Sequence, residues 1–415
     1  MEEKTIIILG AGFSGVFTAM HLSRKLSGDT QVNIKLVNKD PYFTYKTRLH
    51  EVIGGRIRPE EAVHDLKTLF KSYKNVEIIV DEMKRINERE QYVMTESQKI
   101  PYEYLVLAMG GEPNDFGIEG VSEYGFTMWS WKEAVRIRKH ILTMVEQAAK
   151  ETDPKKRQAM LHFVICGGGL TGIEIMGELV EWKPQLEKNF GLEENEISLS
   201  LVEASPTILP VLPEKESQRV KAYFAENQVN LMTEASVSKV TFDSVEIKGQ
   251  EALQTYSLIW TAGVKATSDV EHLEAEIGKA GRLKTFGTMS AQNMEKIYVV
   301  GDLVHYEEAS GVALPQNAQT AEQTAKTAAE NIAAELRPEF KSTLHENKQK
   351  GTIVSVGSKY GVGYLMNLVH IKGPIAVTMK HLVNLMTWGQ MKSMSNLSKY
   401  LKQEIEASKQ DRYLS

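Results

Sequence analysis

The sequence predicts an α/β fold made of two repeated units followed by an amphipathic helical region, and three observations predict it. Two apolar runs of strand character each deliver a G-x-G-x-x-G turn into a run of helical spacing: "IIILGAGFSGVFTAMHLSRKL" at 6–26 and "HFVICGGGLTGIEIMGELVE" at 162–181. Strand, glycine turn and helix in that order form a Rossmann-like dinucleotide-binding domain, because the turn and the helix N-terminus present backbone N–H groups to a pyrophosphate. The third observation is the segment 377–403, where apolar residues recur at helical spacing among lysines. A chain of 415 residues is long enough for two or three domains, and its 42% hydrophobic content can fill their cores.

In the first cradle Gly10 permits the tight turn, Gly12 lets the backbone approach a phosphate, and Gly15 allows close packing of helix on strand; Phe13 and Ser14 complete the loop. The second repeats this with Gly167, Gly169 and Gly172 around Leu170 and Thr171. The second strands of the two units differ at their tips. "ISLSLVEASPTILP" ends its strand at Glu203, whose carboxylate suits both ribose hydroxyls of an adenosine and repels a 2'-phosphate, so NADH is expected over NADPH. The equivalent strand of the first unit ends in Asn38 and Lys39, with the Asn38 amide as the ribose hydrogen-bonding group. Glu203 comes 36 residues after Gly167 rather than the usual ~20, which we attribute to a charged surface extension, "VEWKPQLEKNFGLEENE", with Pro184 and Gly191 as breakers.

Two cradles in one chain argue for two dinucleotides, most economically a tightly held flavin and an exchangeable nicotinamide. "YEYLVLAMGG" and "YSLIWTAGV" read as further strands ending in small residues, placing Ala108 and Gly110 in the first unit and Ala262 and Gly263 in the second. "IYVVGDLV" sets Asp302 after a strand and a glycine, where it suits ribityl hydroxyls or serves as an N-cap. The alanine-rich helix beyond it is expected to begin at Pro315 and to carry Gln319 and Gln323, four residues apart, on one face.

Composition excludes several classes. A net charge of -5 and a pI of about 6.1 give no pull toward nucleic acid. Cys166 is the single cysteine, so no internal disulfide, cysteine metal cage or redox pair can form, and its place in an apolar strand run reads as packing. No metal-ligand spacing and no G-x-S-x-G occur, which leaves the chemistry to the cofactors. "MEEKTIIILG" has no room for a signal peptide, and no stretch reaches ~18 apolar residues, so cytoplasmic synthesis and at most peripheral membrane contact are expected.

Taken in order, "GAGFSG", "LVNKDPYFTYKTRLHEVIGG", "YLVLAMGGEPNDFGIEGV", "GGGLTGIEIMGEL", "LVEASPTILP", "WTAGV", "VVGDLV" and "LPQNAQTAEQ" resemble the type II NADH:quinone oxidoreductases, single-subunit flavoproteins of the two-dinucleotide-binding superfamily. The resemblance implies FAD in the first unit and NADH in the second, with Asp302 on the ribityl side and Ala318 at the flavin. It divides the chain into a FAD-binding domain at 1–118 and 266–340, an NADH-binding domain at 119–265 and a quinone and membrane-interface region at 341–415. Gln319 and Gln323 are implicated at the quinone, either there or as an ordinary exposed amide pair. Glu174, expected in the first turn of the second helix, resembles a family glutamate near the nicotinamide and flavin; helix stabilisation alone would also place an acid there. Lys380 resembles a lysine near the quinone head group, while His50 and Glu51 read as structural and "DPKKRQ" at 153–158 as a solvated linker.

In the C-terminal segment Met379, Leu382, Val383 and Met386, then Met391, Met394, Leu397 and Leu401, recur at helical spacing with Lys380, Lys392, Lys399 and Lys402 among them. Such helices lie in a bilayer interface, pack on a core or form a homodimer. The expected function is hydride transfer from NADH to FAD and then two-electron reduction of menaquinone or ubiquinone at the cytoplasmic membrane face, without ion pumping, as in a respiratory chain. The alternatives are a soluble NADH oxidase or diaphorase and a non-catalytic NADH-sensing flavoprotein.

Overall fold

A computed structural model describes residues 4–308, 311–366, 368–391, 398 and 400–402. Two compact units emerge, one of residues 1–45, 63–112 and 264–349, the other of 46–62, 113–263 and 350–415. Relative to the boundaries expected from sequence, the segment 46–62 belongs to the second unit, and so does the C-terminal region from residue 350.

Each unit is built on a five-stranded parallel sheet whose third position is the strand that delivers the glycine turn. In the first the order is Ile297–Val299, Tyr104–Leu107, Lys4–Leu9, Val32–Asn38, Val76–Val80. In the second it is Gly125–Thr127, Ser257–Trp260, His162–Cys166, Ser198–Val202, Asn230–Met232. Central strands such as Ile6-Ile7-Ile8-Leu9 and Phe163-Val164-Ile165 are buried, as continuous apolar runs must be when helices cover both faces of a sheet. Full burial of one such side chain contributes about 1.5–3 kcal/mol.

Parallel register brings the tip of each second strand beside the glycine turn: Leu9 pairs with Val37, and Cys166 with Val202. Residues one step further, Asn38 and Glu203, therefore stand at the cradles. Cys166 is buried in its strand, as its apolar surroundings foretold.

Several local expectations change. Pro184 does not break the second unit's helix, which runs from Leu170 to Phe190 and ends at Gly191 in the left-handed region. Trp182 and Leu186 are buried against the core, so this is no surface extension; their burial offsets the hydrogen bond that a proline removes. "DPKKRQ" is not a linker but the start of a helix, Pro154–Met160, with Asp153 capping the N–H of Lys155. The alanine-rich helix starts at Ala318 rather than Pro315, because the Asn317 side chain caps Thr320.

The C-terminal part of the second unit opens with an antiparallel sheet, Gly351–Ser355, Gly361–Leu365 and Val369–Lys372, and the helix Pro374–Gln390 packs on it. Its turn at Val356–Gly357 lies backbone-to-backbone on the Leu170 helix at Gly177, where a Cβ would come within 2.3 Å of the Gly357 nitrogen.

Candidate functional site

In the first cradle Gly10 is held at φ +95° and donates its N–H to Val37 O at 2.9 Å. A Cβ there would meet Ala108 O at 2.7 Å, and one on Gly15 would meet Gly10 O at 1.8 Å. A Cβ on Gly12 would meet nothing within 4 Å, so the open side of the loop is at the residue before the helix. Gly12 is also the N-cap of the helix Phe13–Lys25, with no side chain capping it, and the first-turn amides are left for an anion. Phe13 packs edge-on against Phe43, and Ser14 is buried against Gly301. Asn38 accepts the N–H of Ala11 at 2.9 Å and donates to Asp40 O at 2.8 Å. Its amide thus holds the loop, a role the ribose reading did not include. Lys39 is exposed.

Asp302 sits in the turn Gly301–Leu303. Gln316 donates to its carbonyl at 2.9 Å, and the Gly301 N–H is bound by Thr324 Oγ1 at 3.0 Å, so this turn is fixed to the Ala318 helix of the same unit. Gln319 lies half-buried in the first turn of that helix, next to Ala318. The Gln323 amide clamps the backbone of Lys348, donating to its O at 3.0 Å and accepting its N–H at 2.8 Å. Its evident structural work is to hold the extended segment beyond the helix.

The second cradle repeats these distances. Gly167 has φ +112° and donates to Val202 O at 2.8 Å; a Cβ on Gly172 would meet Gly167 O at 2.0 Å; Gly169 opens onto nothing within 4 Å and caps the Leu170 helix without a side chain. Leu170 and Thr171 form the half-exposed first turn, and Thr261 and Ala262 close the cradle from the neighbouring strand, while Gly263, at φ +75°, lies against Phe116 and Asn114. The Glu203 carboxylate accepts Gly168 N at 2.6 Å and Ser205 N at 2.7 Å. Both loops fit a dinucleotide: an uncapped helix N-terminus, an approachable glycine, and a polar side chain at the tip of the second strand.

Within the second unit the structure brings together residues far apart in sequence. Lys380 of the Pro374 helix donates to Glu174 Oε1 at 2.6 Å and to Ser355 Oγ at 2.7 Å, with His50 Nε2 at 3.3 Å. Glu174 lies in the second turn of its helix, not the first, so the helix macrodipole does not explain it. His50 Nδ1 is 3.4 Å from Glu174 Oε2. Behind them Arg48 binds Glu51 at 2.8 Å, and Arg56 bridges Glu51 at 3.2 Å and Glu178 at 2.7 Å. Three carboxylates therefore meet three cations in a buried cluster.

Burial, then the Lys380 ammonium, pushes the His50 imidazole well below its usual range and keeps it neutral. Burial opposes ionisation of Glu51, but the Arg48 and Arg56 guanidiniums outweigh it and hold that carboxyl well below the ordinary value. At Glu174 burial wins and raises the pKa, the Lys380 ammonium pulling it partly back. Glu174 thus binds a proton more readily than Glu51. His50 and Glu51, read as structural, frame it.

Arg48, Arg56, Glu178 and Ser355 were missed from sequence. The available signal was the spacing of Glu174, Glu178 and Glu181, which puts three carboxylates on one face of the helix. Glu181 binds the N–H groups of Ser358 and Lys359 at 2.8 and 3.0 Å, tying the sheet turn to that face.

The Pro374 helix has apolar residues on both sides. It buries Ala376, Val377, Trp388 and the polar Asn384 and turns Lys380 and His381 inward, while Ile375, Leu382, Val383 and Met386 are exposed. Met379 is intermediate, Met391 is buried instead of sharing the apolar face, and Leu401 and Lys402 are exposed. Lys392, Met394, Leu397 and Lys399 lie outside the described residues. Among the described residues no helix is long and apolar enough to cross a membrane, and no metal-binding group of His, Cys, Asp or Glu occurs.

Two dinucleotide cradles on paired parallel sheets, with one buried cysteine, define a pyridine-nucleotide flavoprotein that works without a thiol pair. Residues 4–325 match the family model for the pyridine nucleotide-disulphide oxidoreductases. A type II NADH:quinone oxidoreductase of Staphylococcus haemolyticus (strain JCSC1435) is 30% identical over 389 residues, 92% of this chain and 94% of the relative. One of Staphylococcus aureus (strain MSSA476) is 28% identical over the same shares. The fold matches that of Plasmodium falciparum NDH2, solved in complex with NADH, with a TM-score of 0.89, full coverage of both chains and 19% identity. The chain belongs to the type II NADH:quinone oxidoreductase family, within the wider pyridine nucleotide-disulphide oxidoreductases.

Proposed function

We propose that this chain oxidises NADH through FAD and reduces a quinone held in a membrane, without moving ions across it. The observation that carries the reading is the 2.6 Å contact between Glu174, on the helix of the nucleotide cradle, and Lys380, on the helix that leaves apolar side chains facing outward. One helix starts at a nucleotide phosphate site, the other offers surface to lipid, and a proton-binding pair joins them.

FAD, when bound, supplies the redox chemistry, accepting hydride from NADH and returning two electrons to quinone. The protein binds, orients and protonates. The amides after Gly12 hold the flavin pyrophosphate, and Asp302 takes the ribityl hydroxyls. The amides after Gly169 hold that of NADH. Glu203 retains acceptor capacity for ribose hydroxyls, and its charge disfavours NADPH. Reduction of quinone to quinol consumes two protons; Lys380 Nζ holds one at the head group, and Glu174 Oε1, 2.6 Å away, replaces it. Gln319 is assigned to the quinone and Gln323 to the clamp on Lys348. The exposed face of the Pro374 helix, with Ile375, Leu382, Val383 and Met386, lies on the cytoplasmic membrane surface, since apolar side chains left facing outward favour an apolar medium.

Anaerobic stopped-flow tests this directly. Purified holoprotein bleaches with NADH and far more slowly with NADPH, and a soluble quinone restores the flavin absorbance at a rate that falls in Gln319→Leu. Bleaching without quinone reoxidation would instead identify an oxidase or a sensor.

A further inference from the structure

Between Glu346 and Glu404 the sequence contains eight lysines and not one aspartate or glutamate. Within that stretch the strands Gly361–Leu365 and Val369–Lys372 form a tight hairpin, closed by the pair Leu365 and Val369. Its tip holds Met366 and Leu368, 79% and 77% exposed, and Val369 is 48% exposed. These are among the most exposed large apolar side chains of the described chain, and Met366 takes a left-handed φ of 51° to make the turn. Lys372, on the second strand, is exposed too. The hairpin leads through Gly373 straight into the Pro374 helix, on which Ile375 is exposed.

Its second strand is anchored from behind. His370 Nδ1 lies 2.8 Å from the buried Glu216 carboxylate, which also holds Arg219 at 3.0 Å, and Tyr364 packs on the His370 ring at 4.7 Å. The tip is therefore a supported projection of the second unit rather than a loose end.

We infer that this hairpin tip is a second membrane-contact element, inserting Met366 and Leu368 among the acyl chains of an anionic bilayer while the neighbouring lysines meet its headgroups. Two facts fix the occupant. Apolar side chains that the described residues leave exposed seek an apolar medium. Lys372 on the second strand and Lys350, whose carbonyl accepts the Met366 N–H, are exposed beside the tip in a stretch of sequence without a carboxylate, and such cations complement a negative surface. The inference rests on the membrane reading of the Pro374 helix and extends it: two elements, joined at Gly373, hold the unit at the interface.

Flotation of the full-length holoprotein with vesicles tests it. The probes are pure phosphatidylcholine and phosphatidylcholine with roughly one-third phosphatidylglycerol. Wild type is expected to float with the anionic vesicles and much less with the neutral ones. Met366→Ser with Leu368→Ser lowers the bound fraction at limiting lipid about tenfold, and turnover with a water-soluble quinone stays unchanged. A parallel variant, Leu382→Ser with Met386→Ser, reports on the helix alone. If the helix variant loses vesicle binding and the hairpin variant keeps it, the hairpin inference fails and the helix reading stands. If wild type floats with neither vesicle, both fail. If light scattering shows a dimer that the hairpin variant dissociates, the surface belongs to a second copy and the inference is overturned. Failure of NADH:quinone turnover in wild type would count against the proposed activity, which the flotation result does not depend on.

Discussion

The two cradles share one backbone and differ in what lies around it. Each has a left-handed first glycine, an open second glycine and a third whose Cβ would strike the first glycine's carbonyl, at 1.8 Å in one and 2.0 Å in the other. Each receives a side-chain acceptor from the tip of its second strand. In the first unit that acceptor is the neutral Asn38, and the helix behind it carries no acid in its first turn or facing a cation. In the second it is the charged Glu203, and the Leu170 helix sends Glu174 and Glu178 into a cluster with Lys380 and Arg56. On the proposed reading the first retains its nucleotide, and the second couples its nucleotide helix to protonatable groups.

The third glycines offer the largest break in that comparison. Gly15→Ala places a methyl on the Gly10 carbonyl and is expected to yield protein without bound flavin, colourless after purification. Gly172→Ala does the same to Gly167 and should leave the protein yellow while slowing NADH bleaching by about 100-fold or more, since the loop amides lose their position. If Gly172→Ala instead loses flavin and Gly15→Ala keeps it, the assignment of the cradles is reversed.

Lys380→Met comes next. Removing the ammonium leaves Glu174 and His50 without it, and quinone reoxidation is expected to fall about 10- to 100-fold while bleaching by NADH changes little. A fully buried pair broken on one side loses about 3–5 kcal/mol; these side chains keep 12% and 14% exposure, so the melting temperature should drop by less than that implies. Equal slowing of both half-reactions would show that Lys380 serves the fold rather than the quinone step.

Legibility in the sequence tracks the range of the interactions. The cradles were legible because their demands are local: Gly15 is required by Gly10, five residues away, and Gly172 by Gly167. The helix through Pro184 was not, because Trp182 and Leu186 are buried by residues remote in sequence, and that burial overrides the breaker signal. The charge cluster was half legible. Glu174 and Lys380 could be singled out, but their meeting across 206 residues depends on the 351–372 sheet, whose short strands carry a weak pattern. The apolar face of the Pro374 helix was visible as periodicity, yet periodicity does not say which side faces in.

A smaller effect sharpens the contrast between Asn38 and Glu203. Glu203→Gln makes the second cradle resemble the first, keeping a carbonyl for the Gly168 N–H and removing the charge. Discrimination between NADH and NADPH, taken as the ratio of bleaching rates, should fall about tenfold, mostly through faster NADPH. An unchanged ratio would place specificity elsewhere on the cradle.

The smallest expected effect concerns pH, and it too compares the units. His21 in the first and His381 in the second are both lowered to about 4, chiefly by burial; Arg24 adds to the lowering at His21, while at His381 the Glu51 carboxylate partly opposes it. An unfolded histidine titrates near ~6.5. Between those values the folded chain binds fewer protons than the unfolded one, so stability is fully present above about 6.5 and lost as pH falls through 4. His381 also bonds the Tyr400 hydroxyl at 3.0 Å, to which Asn384 donates at 3.1 Å while the Arg48 guanidinium lies over the Tyr400 ring. Protonation there should loosen that contact first. Chemical denaturation at pH 7 and pH 5 is expected to show a loss of stability that His381→Asn reduces and that His21→Asn reduces separately. If neither variant flattens the pH dependence, the acid sensitivity lies in the His50 cluster, where protonation adds a fourth cation to three carboxylates.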